Sequence, residues 1–181
     1  MDSYDNICAV QFDAHLDWAY APGGQKYCHN SPMRRISEMK HLIKMCQIGI
    51  RGLGSSRRSD FQDAKEYGSV LVSAKEANRM TPKELADKIP DSEYYYVTMD
   101  IDGLEPGIAA ATGTPAPGGL SYDTINDVLY EHSKKCKIIG FDLVEVAPAQ
   151  DTSEVTERTA AMIIINLMGY IMKRVKAEKG E

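Results

Sequence analysis

Short apolar runs rich in β-branched and aromatic residues alternate along this chain with stretches whose apolar positions recur every three or four residues. The runs predict strands at about Ile7–Phe12, 47–50, 69–73, 94–99 and 137–146. Helical patterning follows Ser31 to roughly Lys44, and Thr81-Pro82-Lys83-Glu84 sets a proline at a first helical position, where its missing N–H is no loss. Ser121 stands as a cap before the helical run 123–132. The last helix should be the longest, beginning near Thr152 or Ser153 and passing through AAMIIINLMGYIMKRV. Its density of apolar side chains predicts burial against the sheet or a neighbouring subunit. Lys173, Arg174 and Lys176 suit its C-terminus.

Alternation of this kind predicts an α/β fold of three layers (αβα), a parallel sheet of about five strands with helices on both faces. Ligand sites in such sheets gather at the C-terminal ends of the strands, where strand order reverses.

At 181 residues, 43% hydrophobic and 26% charged, the chain suffices for one domain with a real core. No apolar run reaches the ~18 residues of a spanning helix, and MDSYDN lacks the regions of a signal peptide, so a cytoplasmic protein is expected. A net charge of -5 with dispersed basic residues excludes the electrostatic footprint of a nucleic-acid or anionic-membrane binder. Cys8, Cys28, Cys46 and Cys136 show no CxxC spacing and read as reduced thiols.

The chemistry concentrates at strand ends. The first strand runs into Phe12-Asp13-Ala14-His15-Leu16-Asp17 and the fourth into Met99-Asp100-Ile101-Asp102. Alternate positions share one side of an extended chain, so Asp13, His15 and Asp17 should project from the sheet's end into a pocket shared with Asp100 and Asp102. Four carboxylates converging there repel one another unless protons or a cation neutralise them. Oxygen-dominated donors favour Mn or Mg, and two ions fit better than one, because carboxylates bridge metals about 3.5–4 Å apart. For either motif alone, a polar turn is the plain alternative. The metal reading requires the first and fourth strands to be neighbours, which with one-way crossovers predicts the order 5-4-1-2-3. A third strand end, Phe141-Asp142-Leu143-Val144-Glu145, carries acids an odd number of positions apart. They should face opposite sides, Glu145 reaching the pocket to hold a cationic guanidinium by paired hydrogen bonds and Asp142 serving structure.

Together DAHLD, TMDIDGLEP, GTPAPGGL and DLVEVAP, in this order and spanning almost the whole chain, resemble the ureohydrolase family of arginases and agmatinases. The resemblance implies an arginase-like fold and two Mn2+ ions, with Asp13 and Asp100 bridging, Asp17 on one ion, and His15 and Asp102 on the other. It implies that water activated at the metal pair attacks a guanidinium carbon. Asp17 would orient that water and pass its proton to the leaving amine, while Glu145 binds the guanidinium. His29, in Tyr27-Cys28-His29-Asn30, corresponds to a proton-shuttling histidine, the alternative being a loop histidine without a role. His41 and His132 fall in helical patterns and read as solvated or structural. The loop from Trp18 to His29 lacks the Ser-Gly-Asn type stretch of arginases, and SPMRRI is similar to agmatinases. Agmatine, cleaved to putrescine and urea in polyamine biosynthesis, is therefore favoured over arginine, with other guanidino acids, formimidoyl compounds and guanidine left open. A homo-oligomer is expected.

The family's upstream block, with a Gly-Gly-Asp-His motif whose histidine completes the first manganese site, does not occur in this sequence. Residues 1–181 should form a single ureohydrolase domain lacking its N-terminal strands and that ligand, with the fifth strand left as an edge. The alternative to an enzyme is a truncated, inactive relative serving as a binding or assembly module. A deacetylase of similar fold is more distant.

Overall fold

Ile7–Phe12 (β1) is buried at every position, as only a strand covered on both faces can be. In the computed structural model of the chain, which describes residues 4–52 and 56–180, it lies at the centre of a five-stranded parallel sheet. On one side stand β2 (Leu42–Ile50) and β3 (Val70–Ser73), on the other β4 (Tyr94–Asp100) and β5 (Lys137–Val144). The order β3-β2-β1-β4-β5 is the expected one, and the reversal falls between β1 and β4.

Alternate strand residues feed two cores. Ala9 and Met45 pack with Leu16, Trp18, Met33 of α1 (Pro32–Ser37) and Ala64 of α2 (Arg58–Tyr67). Cys8, Val10 and Phe12 face the opposite, larger core, with Ala77 of α3 (Ala74–Ala77), Leu85 of α4 (Pro82–Ala86), Ile125 and Val128 of α5 (Tyr122–Ser133), and Ile163 and Leu167 of α6 (Val155–Lys179). Caps start several of these helices: Ser73, Thr81 and Ser121 each accept the amide three residues on, satisfying a backbone donor the helix leaves free. Cys8, Cys28, Cys46 and Cys136 are free thiols.

Four elements differ from the sequence pattern. The helix after Ser31 ends at Ser37 rather than near Lys44, and β2 begins at Leu42. Met33, Ile36, Met39 and Leu42 recur at helical spacing, but pairing of Leu42 with Ile7 draws the last of them into the sheet. The long helix begins at Val155, not at Thr152 or Ser153. Asp151 accepts both the amide and the hydroxyl of Ser153 (2.9 and 2.6 Å), and Glu154, at φ 58°, turns the chain before the helix starts. One face of α6 is buried at Ala160, Ile163 and Leu167, whereas Met162, Ile165, Met168 and Met172 stay exposed. Finally, β5 stops at Val144, because Glu145 leaves the extended conformation at φ 64°. Among the described residues no helix is long and apolar enough to cross a membrane.

Candidate functional site

The turn after β1 is a bend rather than the extended segment its alternation suggests. Asp13 Oδ1 accepts the amide of His15 at 2.6 Å, and Asp17 sits at φ 53°, so curvature gathers these side chains. Asp13 is 2% exposed, its amide donating to the Ile48 carbonyl (3.0 Å). Two glycines allow the neighbouring strand ends to close on it. A Cβ at Gly49, where φ is 103°, would lie 2.8 Å from the Asp13 carbonyl oxygen, and one at Gly103 would lie 3.0 Å from its nitrogen.

From β4, Asp100 Oδ1 accepts the amide of Asp102 (2.9 Å), and Asp102 Oδ1 accepts the amide of Ala14 (3.0 Å), which ties the two turns together. His15 Nδ1 stands 3.0 Å from Asp102 Oδ2 and 3.6 Å from Asp13 Oδ1. Among the described residues, Asp13, His15 and Asp102 each bring one ligand atom to within 4.8 Å of the others. Asp17 and Asp100 lie outside that trio. With His15, His29 and Glu145 they line a cavity of about 690 Å³ at the C-terminal edge of the sheet, closed on one side by the loop Gly113 to Pro117. A smaller cavity of about 290 Å³ shares Asp17, His29, Asp100 and Glu145 and adds Asp13 and Asp142.

Burial and crowding govern the charges here. Burial, reinforced by Asp13, pushes the Asp17 and Asp100 carboxyls up to about 9. Asp13 is pushed up to about 6, chiefly by burial, against the hydrogen bonds from His15. His15 is raised to about 10 by its hydrogen bonds to Asp102 and Asp13. Burial pushes Asp102 up as well, but the bonds from His15 and the Ala14 amide outweigh it and hold that carboxyl below its ordinary value. A cluster that can ionise fully only with help from a cation, built of carboxylates and one imidazole, fits a divalent ion that prefers oxygen. Asp13, His15 and Asp102 could hold one such ion, and Asp17 and Asp100 offer further carboxylates on the same cavity.

The acids of β5 correct one expectation. Asp142 and Glu145 were expected on opposite sides, yet both line the smaller cavity, because the chain leaves the strand conformation between them. Asp142 is held by the hydroxyls of Tyr96 and Thr98, both at 2.7 Å. Glu145 is exposed, and its Oε2 lies 3.3 Å from where a Cβ on Gly113 would stand.

Sequence reasoning passed over Arg51. Its guanidinium donates to the carbonyls of Asp102 (2.6 Å), Ala116 (3.0 Å), Leu104 (3.1 Å), Gly49 and Pro117 (3.2 Å each) and Gly103 (3.4 Å). With every N–H engaged, Arg51 fastens the turn after β4 to the 116–117 loop and has no donor left for a ligand. An arginine directly after the apolar run of β2 was the available signal.

Residues 1–169 match the model of the arginase family. The chain is 34% identical over 171 residues to an agmatinase of Halalkalibacterium halodurans, an alignment covering 93% of this chain and 57% of that protein. Against an agmatinase of Pyrococcus horikoshii the identity is 32% over 160 residues, covering 88% and 54%. Among solved structures, the fold matches proclavaminate amidino hydrolase from Streptomyces clavuligerus with a TM-score of 0.84 at 31% identity, over 96% of this chain and 58% of that one. Agmatine ureohydrolase of Thermoplasma volcanium gives 0.82 at 28% identity, over 95% and 57%. This chain thus spans less than two thirds of the length of each of these relatives. The site lies where the sheet reverses, on a chain matched almost from end to end, and the chain belongs to the arginase family.

Proposed function

We propose that this chain carries the catalytic face of a binuclear manganese ureohydrolase, acting on a guanidino compound and most specifically on agmatine, which it cleaves to putrescine and urea. The observation that carries this reading is the gathering of Asp13, His15 and Asp102 within 4.8 Å beside a cavity that Asp17, Asp100 and Glu145 also line. The likeness to agmatinases supports the substrate.

Asp13, His15, Asp17, Asp100 and Asp102 would hold two Mn2+, whose chemistry when bound is activation of water and stabilisation of charge at the reacting carbon. Glu145 binds the guanidinium, its two oxygens accepting a pair of N–H bonds and so orienting the carbon toward the acid cluster. Asp17 accepts the proton of the attacking water and delivers it to the amine nitrogen as the C–N bond breaks, so that oxygen ends on urea and the proton on the leaving amine. His29, exposed and lining both cavities, exchanges protons with solvent. Pro115, Ala116 and Pro117 line one wall of the cavity.

Urea release with added Mn2+, measured for agmatine, arginine and guanidinobutyrate, tests the reading on this chain alone and joined to the remaining segment of an aligned agmatinase. Agmatine should be the fastest substrate. Mn2+ binding without urea from any of the three in the extended protein would instead make the chain a binding or assembly module.

A further inference from the structure

On the face that α1 and α2 cover, polar side chains interrupt the apolar strands next to Thr98, the register partner of Gln11 on β4. Gln11 of β1 and Gln47 of β2 are paired in register, 2% and 0% exposed, with Ser69 beside them at 8%. Gln11 Nε2 donates to Asp13 Oδ2 at 2.6 Å, Gln47 Nε2 donates to Gln11 Oε1 at 2.6 Å, and Ser69 Oγ donates to Gln47 Oε1 at 3.0 Å. Gln47 Nε2 also donates to the Leu16 carbonyl at 2.7 Å.

The direction of this row is not arbitrary. A backbone carbonyl only accepts, so Leu16 turns the Gln47 amide nitrogen toward itself and toward Gln11, leaving the Gln47 oxygen for Ser69. The Gln11 oxygen must then face Gln47, and its nitrogen must face Asp13. A carboxylate oxygen of Asp13, a residue only 2% exposed, thus meets a donor whose orientation is set one strand away.

The fold alone does not call for these groups. An apolar pair of the same shape in place of two hydrogen-bonded buried amides is often nearly neutral for stability. We propose that Gln11, oriented by Gln47 and Ser69, is the positioning residue for Asp13, and that this buried relay sets how tightly the site holds its metal. The inference rests on the metal reading above and adds residues that touch neither ion nor substrate.

Gln11→Met and Gln47→Met preserve shape and remove the amides. Mn2+ affinity is read from the EPR signal of free Mn2+, on the whole chain, with folding of each variant checked by circular dichroism. Loss of an outer hydrogen-bond partner typically weakens a metal site ~10–100-fold. Gln11→Met should fall in that range and Gln47→Met should weaken binding less, the double variant matching Gln11→Met because both act along one path. A folded Gln11→Met that binds Mn2+ within about twofold of the parent overturns the proposal, as do additive effects in the double variant. A second readout needs no metal: the side-chain amide protons of Gln11 should exchange slowly in the parent and faster in Gln47→Met. Equal exchange in the two refutes the relay. A parent that binds no Mn2+ while its Gln11 amide is protected strikes the metal reading instead and leaves the relay standing.

Discussion

The two acidic turns, 13–17 after β1 and 100–104 after β4, carry similar alternating motifs but are held by different means. Asp13 accepts the backbone amide of His15 on one oxygen, but its other oxygen is oriented by a side-chain amide, Gln11, which depends in turn on Gln47. Asp100 and Asp102 accept backbone amides, from Asp102 and Ala14, and the carbonyls of their turn are fastened by Arg51. A ligand held through side chains can be disturbed by isosteric substitutions in a neighbouring strand. One held through the backbone moves only if the turn itself is released. Three predictions press on this contrast and a fourth provides a control outside both turns.

The largest effect should come from removing a ligand itself. Asp13→Ala is expected to strip the metal, losing more than the ~100-fold that outer partners account for. Glu145→Ala should keep metal content and lose guanidinium binding and turnover. Elemental analysis beside urea assays separates the two, and equal metal loss in both would show the roles to be misassigned.

Releasing the backbone-held turn comes next. Arg51→Gln leaves several carbonyls around a smaller amide and should destabilise the fold by roughly 3 kcal/mol, in the range for lost bonds to a charged donor. Arg51→Lys, which keeps the charge but not the fork, should recover only part of this in urea denaturation. Full recovery by lysine would mean that charge, not geometry, holds the turn.

Acid–base behaviour separates the acidic turns from the opposite core. Asp17 and Asp100, raised by burial to about 9, bind protons in the fold that they release when unfolded. Without metal, stability should therefore decline as pH rises from about 4 toward 9, and Mn2+ should reverse that decline by replacing the protons. His132 works in the other direction. It is buried, its Nε2 has no hydrogen-bond partner among the described residues, and burial lowers it from 6.5 to about 4. Its contribution is fully present above pH 6.5 and is lost as pH falls toward 4, amounting to roughly 3 kcal/mol at most. His132→Phe should flatten that acid limb and leave the alkaline decline unchanged in denaturation curves across pH.

The smallest effect belongs to the far end of the relay. Ser69→Ala removes one bond to Gln47, with an expected destabilisation of about 1 kcal/mol. A change above ~3 kcal/mol in chemical denaturation would show that Ser69 supports more than the relay.

How much was legible depended on how local the cause was. All five strands, β2 by its second half, the helix caps at Thr81 and Ser121 and the acidic motifs show in windows of a few residues, because side-chain alternation and capping are local physics. The end of α1 was hidden, since Met39 and Leu42 keep a helical spacing that only pairing with β1 overrides. Placing Glu145 on the same cavity as Asp142 required the backbone turn at Glu145, where φ is positive in a residue that rarely adopts it. Gln11 and Gln47 were visible as polar residues in apolar runs, but nothing local said that they would be paired.

By itself, the sequence determined that parallel strands end in acids: the apolar runs demand a covered sheet, and ligand-type side chains at alternate positions near two strand ends demand neutralisation. Tertiary structure decided which atoms meet. The bend that brings His15 onto Asp102, the glycines that admit Asp13 between β2 and β4, the carbonyl cage around Arg51 and the amide row behind Asp13 all join residues at least 31 positions apart in at least one contact. Such contacts form only when strand order and register are set, because hydrogen bonds and crowded carboxylates act over a few ångströms of space and are indifferent to distance along the chain.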